Sequence, residues 1–124
     1  LGEIYLNAAE AAFELNDEPT ALPYINRLRQ RAGFPANSLT SLTIEKIQNE
    51  RRVELAFENQ RWFDLLRWGK AIEVINKHIQ ETEWDFYAGY TQQINKLKDY
   101  QLILPIPQSV IDNNPGVITQ NPNY

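Results

Sequence analysis

TIEKIQNERRVELAFENQRWFDLLRWGK, residues 43–70, decides how the whole sequence is read. It contains no proline. Between positions 45 and 67 five basic residues (Lys46, Arg51, Arg52, Arg61, Arg67) balance five acidic ones (Glu45, Glu50, Glu54, Glu58, Asp64). Read as one continuous helix, with successive side chains about 100° apart, the block sets Glu50, Glu54, Arg61 and Asp64 on the same face as Ile47, Val53, Phe57, Leu65 and Trp68.

Charges set into an apolar stripe allow two readings. One is an inward-facing carboxylate–guanidinium network, because a buried charge must be paired, and removing one partner costs roughly 3–5 kcal/mol. Arginine suits that task, since its planar fork holds two carboxylate oxygens at once. That face itself offers Glu50, Glu54, Arg61 and Asp64 to such a network. The other reading is a solvated face with local pairs such as Arg51–Glu54 and Glu58–Arg61, each worth a few tenths of a kcal/mol. Spacing leaves both open. The inward reading makes Arg61 matter more to stability than Arg52, which falls on the other side of the helix.

At the start of the block Thr43 is placed to cap a helix, with Leu42 and Ile47 at the two positions of a hydrophobic staple. Asn59-Gln60 is the expected interruption, since asparagine accepts a left-handed backbone better than most residues. A second helix at a new angle would explain why Phe63 and Leu66 point away from the first apolar face. Gly69 loosens its end, and residues 71–79 continue helically through Ile72, Ile75 and Ile79. The lone histidine, His78, near that helix end, is read as a capping or surface residue.

Upstream, GEIYLNAAEAAFEL (2–15) puts Tyr5, Ala8, Ala9, Ala12 and Phe13 on one side and Glu3, Asn7, Glu10 and Glu14 on the other. Its alanines form a low ridge against which a second helix can lie. Residues 16–19, NDEP, make a turn. The next helix has Ala21, Leu22, Ile25 and Leu28 as its apolar face, with Thr20 as the expected N-cap so that Pro23 falls in the first turn. Arg27, Arg29 and Arg31 suit the negative end of its dipole, and Gly33 supplies the stop. Two helices joined this way form an αα-hairpin, the unit of tetratricopeptide repeats. Gly2-x-x-Tyr5 matches part of that consensus, but the rest is out of register and no second copy stands at a repeat-length offset.

Residues 34–42 read as a linker. Residues 80–98 hold Trp84, Phe86, Tyr87, Gly89 and Tyr90. YQLILPIP (100–107) is expected to be extended, because Pro105 and Pro107 disfavour helix at the residues before them. Residues 109–113 suit one helical turn, and the Asn- and Pro-rich tail to Tyr124 reads as a loop whose last aromatic tucks back.

With 124 residues, 43% hydrophobic and 23% charged, the chain has the composition of a single domain or part of one. A net charge of −4 gives no basic footprint for nucleic acid. No apolar run reaches the length of a membrane span. Zero cysteine rules out disulfides and thiolate metal sites within these residues, and one histidine leaves no histidine cluster. No metal or cofactor is therefore expected. The chain begins at Leu1, already within a helical pattern, and is read as a piece of a longer protein.

Five pieces in order carry a resemblance. They are Tyr5-Leu6-Asn7-x-Ala9-Glu10-Ala11; Ile25-Asn26-x-Leu28-Arg29-x-Arg31-Ala32-Gly33; Glu50 through Glu58, ERRVELAFE; Arg61 through Gly69, RWFDLLRWG; and Leu104-Pro105-Ile106-Pro107 with the closing Gln120-Asn121-Pro122-x-Tyr124. Together they resemble the C-terminal portion of the SusD/RagB family, outer-membrane lipoproteins of Bacteroidetes that capture glycans, or in some members peptides, for a TonB-dependent transporter. Residues 80–98 are unmatched. Asn59 and Asn123 stand where the family commonly has glycine.

The resemblance implies an all-α fold of tetratricopeptide-like helical hairpins with a long, loop-rich C-terminal segment. It also favours the inward-facing ion network, because the charged positions Glu50, Arg51, Glu54, Glu58, Arg61, Asp64 and Arg67 all belong to the matching pieces. It implies a parent facing the cell exterior and anchored through a lipidated cysteine upstream, which binds a ligand and delivers it to the transporter without catalysis. Four carboxylates at 50, 54, 58 and 64 could in principle supply a glycosidase pair. However, an arginine neighbour favours the ionised form of a carboxyl, whereas the general acid must stay protonated. No phosphate loop or nucleophile motif is present, so no catalytic residue is assigned. For sugar stacking, Trp84, Tyr87 and Tyr90 are the local candidates, with Asp85 and Gln92 as hydrogen-bonding neighbours. Alternatively this cluster packs the long helices. In the family that the chain resembles the main ligand-contacting aromatics generally lie upstream, which allows that these residues contain no ligand site. The competing function is a tetratricopeptide-like protein-interaction module with no carbohydrate role.

Overall fold

Residues 43–70 form two helices, not one. In the computed structural model, which describes residues 1–81 and 96–124 (side chains at 80 and 81 excepted), helix α3 spans Ile44–Glu54 and α4 spans Arg61–Arg67. They follow α1 (Gly2–Glu14) and α2 (Glu18–Arg31), and precede α5 (Ala71–Glu81), a 3₁₀ turn at Asp99–Leu102 and the short α6 (Gln108–Asp112). Among the described residues there is no strand, and the fold is all-α. The chain divides into two compact units, Leu1–Arg61 and Trp62–Tyr124.

Left-handed residues end three of the helices. Asn16 (φ 61°), Gly33 (φ 95°) and Gly69 (φ 65°) each stand two residues past the end of α1, α2 or α4. At each, the N–H of that residue and the next turn back onto the last helical turn. After α1 the bonds are Asn16 to the Phe13 carbonyl and Asp17 to the Ala12 carbonyl, both 2.9 Å. After α4 they are Gly69 to Leu66 (3.0 Å) and Lys70 to Leu65 (2.9 Å). This Schellman arrangement satisfies carbonyls that the helix end would otherwise leave bare. Gly69 is therefore a stop, not a loosening.

Two expectations at helix starts are tested by cap geometry. Thr43 caps α3, its Oγ1 accepting from the Lys46 N–H at 3.3 Å, with Leu42 and Ile47 both buried beneath it. Thr20 does not cap α2. Asp17 does, its Oδ1 accepting from the Thr20 N–H at 3.2 Å. The helix starts at Glu18, so Pro19 sits in the first turn while Pro23 lies inside the helix.

The core of the first unit consists of Leu6 and Ala9 from α1, Ala21, Ile25 and Leu28 from α2, Ile47 from α3, and Leu42 and Leu55 at the ends of α3. Tyr5 and Tyr24 close its edge with rings 5.8 Å apart. Each large side chain so buried contributes about 1.5–3 kcal/mol. α1 packs on both α2 and α3.

Polar groups on α2 hold the 34–42 linker against this core. Leu42 N–H donates to Glu18 Oε1 at 2.6 Å, and Ser38 Oγ accepts from Arg29 Nε at 2.8 Å. Asn26 grips Leu39 by both backbone groups, at 2.9 Å each. The same doubled amide contact recurs in the second unit, where Asn76 holds Leu97 (2.9 and 2.7 Å) and Gln120 holds Ile106 (2.9 and 2.8 Å). Each reproduces the two-bond exchange of an antiparallel strand pair without a strand.

The expected extended stretch from Tyr100 is shorter than the prolines alone suggested. Residues 99–102 turn as 3₁₀ and the chain is extended only from Ile103. Leu104 is exposed, so the alternation of Leu102, Leu104 and Ile106 does not mark one buried face. The tail does return: Tyr124 Oη donates to the Ile103 carbonyl at 2.9 Å, its ring edge-on to Tyr100 at 5.0 Å. His78 is exposed in the last turn of α5.

Candidate functional site

Arg51 and Glu10 are the buried charged residues of the first unit. Positions 47, 50, 51 and 54 share one face of α3 at helical spacing, so Ile47 enters the core with Glu50, Arg51 and Glu54 beside it. Arg51 is 4% exposed. Its Nη1 donates to Asn7 Oδ1 of α1 at 2.7 Å, and its Nε lies 3.7 Å from Oε2 of Glu10, itself 8% exposed. Glu50 and Glu54 reach the other way, to α2: Glu50 pairs with Arg29 and Glu54 with Arg31. Arg29 also lies over the Phe34 ring, 4.2 Å from its centroid. α3 is thus clasped to α1 by one arginine and to α2 by two carboxylates.

The remaining residues of the anticipated network lie elsewhere. Asp64 is buried in α4 and accepts from Arg67 Nη2 and Nε at 3.0 and 3.1 Å, while the Arg67 guanidinium stacks 4.8 Å from the Trp68 ring. Arg61 is half-buried at the start of α4, and Glu58 is exposed. Val53 and Phe57, expected on the apolar face, are exposed at 66% and 104%. For Phe57 the reason is the early end of α3, whereas Val53 lies within α3, about 120° round the helix from buried Ile47. Past Glu54 the chain turns, with Glu58 N–H on the Leu55 carbonyl at 3.1 Å and both Phe57 (φ 69°) and Asn59 (φ 60°) left-handed. Any helical phase carried through residue 59 is lost there. Asn59 sits inside that break, but the helix stops five residues before it.

Glu10, Asn7, Arg29 and Arg31 were not anticipated as partners. Glu10 reads as surface on the polar side of α1, and the arginines of α2 read as complements to its dipole. The one available signal is that Glu10, Asn7 and Arg51 stand beside apolar core residues at helical spacing. Among the described residues, every buried side-chain nitrogen or oxygen has a partner. Chemically the cluster is spent on packing, with its carboxylates and guanidiniums turned on one another.

Glu54 has a second neighbour. Gly2 is buried at the start of α1, and a Cβ there would stand 2.9 Å from Glu54 Cδ. The carboxylate thus lies against the positive end of the α1 dipole. Beside it a notch of about 330 Å³ is lined by Leu1, Gly2, Tyr5 and Leu28, with Arg27, Gln30 and Arg31 around it.

Trp84, Tyr87 and Tyr90, with Asp85 and Gln92, lie outside the described residues. Among those described, no group of His, Cys, Asp or Glu is arranged to hold a metal ion, and no helix is long and apolar enough to cross a membrane.

Comparison with known proteins agrees with the order of motifs. The chain is 36% identical over 125 residues to SusD-like protein P25 of Formosa agariphila, covering 95% of this chain and 22% of that protein. It is 35% identical over 133 residues to SusD-like protein P2 of the same organism, covering 98% and 24%. A SusD-like protein of Bacteroides ovatus is 31% identical over 105 residues, 82% of this chain and 18% of that protein. The chain thus spans less than a quarter of the length of these curated relatives. Asn59 and Asn123 are left-handed (φ 60° and 72°), a conformation that asparagine and glycine accept most readily. The sequence model of the SusD family matches residues 1–124 from end to end, and the chain belongs to that family.

Proposed function

We propose that this chain is the scaffolding C-terminal portion of a glycan-binding protein that delivers its ligand to a TonB-dependent outer-membrane transporter. Family membership over all 124 residues carries the reading. The arginine–carboxylate clasp and the three amide clamps support the scaffolding part, since they commit polar side chains to holding helices and loops in place. The parent lies on the cell-surface side of the outer membrane, anchored through a lipidated cysteine upstream. It binds an oligosaccharide, or a peptide, and makes or breaks no bond.

Within these residues Trp84, Tyr87 and Tyr90 are the group proposed to stack on a sugar ring, with Asp85 and Gln92 meeting hydroxyls. Titration of the full-length protein with soluble oligosaccharides, followed by tryptophan fluorescence, tests the whole. Saturable quenching is the expected result. Trp84→Ala and Tyr87→Ala then separate a ligand contact, which weakens binding, from a scaffold role, which leaves affinity unchanged.

The α1–α2 hairpin favours one other reading, a helical protein-interaction module with no carbohydrate role. Silence toward every glycan together with retained binding to a partner protein would select it. Removal of a lipoprotein cysteine from the full-length N-terminus, without any change in membrane fractionation, would overturn the anchoring.

A further inference from the structure

The notch beside Glu54 has the make-up of a small-molecule site, and holding the helices together does not use it. Its volume is about 330 Å³, at the lower end of the roughly 300–1,000 Å³ of such sites. The floor is apolar, formed by Leu1, the half-buried Tyr5 and the buried Leu28. Tyr24 lies against Tyr5, with rings 5.8 Å apart and tilted by 33°, and so steadies that ring. The rim is polar and comes from one turn of α2, where Arg27, Gln30 and Arg31 stand three and four positions apart and share a face.

We infer that this notch binds one acidic sugar unit, a uronate. The inference rests on the glycan-binding reading above and adds to it a second site and a class of sugar. Three observations select the ligand. First, the floor suits a pyranose ring, whose face carries C–H bonds and lies well on apolar and aromatic side chains. Second, the rim offers planar donors, an amide for hydroxyls and guanidiniums that can hold both oxygens of one carboxylate. Third, the rim has a positive charge to spare. Arg31 is paired with Glu54, whereas Arg27 is exposed and meets only a neutral amide, Gln30 Oε1 at 3.4 Å. Two guanidiniums therefore face one carboxylate, and Arg27 is the group left to receive the anion of a ligand.

Other ligands fit less well. A neutral hexose covers the floor but leaves Arg27 without a counter-charge. Inorganic phosphate meets Arg27 but has no apolar face for Tyr5 and Leu28. An acidic side chain of a protein partner brings the carboxylate with only a thin methylene stem to fill the floor.

Trp62, Trp68 and Trp84 all lie beyond the first unit, so the notch is read by its own probe, the fluorine NMR signal of a meta-fluorotyrosine placed at Tyr5 in the full-length protein. D-galacturonate, D-glucuronate and D-mannuronate are titrated, with the corresponding neutral hexoses and the uncharged methyl ester of galacturonic acid as references. The expected result is a saturable shift with a uronate, roughly tenfold or more weaker for its uncharged counterpart and for Arg27→Glu, and weakened by added salt. Arg27 is exposed, so the variant keeps its fold, which circular dichroism checks. The inference is overturned if no uronate moves the signal, if neutral hexoses bind as tightly, or if Arg27→Glu leaves the affinity unchanged. A shift with a blocked glutamyl peptide but with no uronate would assign the notch to a protein partner and overturn it equally. Tryptophan quenching by an oligosaccharide while the Tyr5 signal ignores every uronate overturns this inference and leaves glycan binding standing; silence of both probes overturns both.

Discussion

Asn26 holds Leu39 as a neighbouring strand would, its side-chain Nδ2 donating to the Leu39 carbonyl and its Oδ1 accepting from the Leu39 N–H, both at 2.9 Å. One amide side chain thus meets both backbone groups of a residue in an otherwise irregular linker, because an amide alone among uncharged side chains offers donor and acceptor side by side. Asn26→Asp keeps the shape but sets an acceptor against the carbonyl. It is expected to destabilise by about 1–3 kcal/mol and to abolish slow amide exchange at Leu39. Unchanged exchange there would show that the linker is held by its other two contacts.

Arg51 is expected to outweigh every other arginine of the first unit. Arg51→Ala removes the buried guanidinium that meets both Asn7 and Glu10, a loss of roughly 3–5 kcal/mol. Arg52→Ala, at an exposed site, is expected within about 0.5 kcal/mol of wild type. Arg51→Lys rescues little, since a single ammonium cannot meet Asn7 and Glu10 with the same fork geometry. Denaturant unfolding of the three variants checks the ranking, and equal losses for Arg51→Ala and Arg52→Ala would contradict it.

At Gly2 the sign of a substitution depends on a residue 52 positions away. Alanine is the better helix former by about 1 kcal/mol, but its Cβ displaces the Glu54 carboxylate from its place beside Arg31. Gly2→Ala is expected to destabilise by about 1 kcal/mol in the wild-type background and to stabilise in a Glu54→Ala background. A double-mutant cycle measures the coupling, and additivity would deny the contact.

Phe57 is a bulky residue at φ 69° with its ring in solvent, in a turn whose third position favours glycine or asparagine. A left-handed backbone costs a side-chain-bearing residue of this kind roughly 1–2 kcal/mol. Phe57→Asn is therefore expected to raise the melting temperature by a few degrees. A fall instead would show that the ring makes a stabilising contact that outweighs the backbone cost.

The tail offers a milder test. Tyr124→Phe removes the hydrogen bond to the Ile103 carbonyl but keeps the edge-on ring at Tyr100. A loss of about 0.5–1.5 kcal/mol, with faster proteolysis of the last residues, is the expected outcome, while Gln120→Glu should cost more by opposing the Ile106 carbonyl.

What the sequence determined by itself is what depends on near neighbours. Helical period, the Thr43 cap over Leu42 and Ile47, and the stop at Gly33 each involve residues within about five positions, and each stands in the structure. So does the ordered set of motifs that marks the family. The tertiary structure decided what crosses longer gaps. Glu10 and Asn7 meet Arg51 across more than forty residues, and no periodicity along one helix says which charged face another helix will cover. Spacing also failed past Glu54, where a break in the backbone resets the helical phase and leaves Phe57 in solvent, and the buried arginine of the first unit is Arg51, not Arg61. Whether a charge lies inside is decided by what packs over it, and that is a property of three helices together.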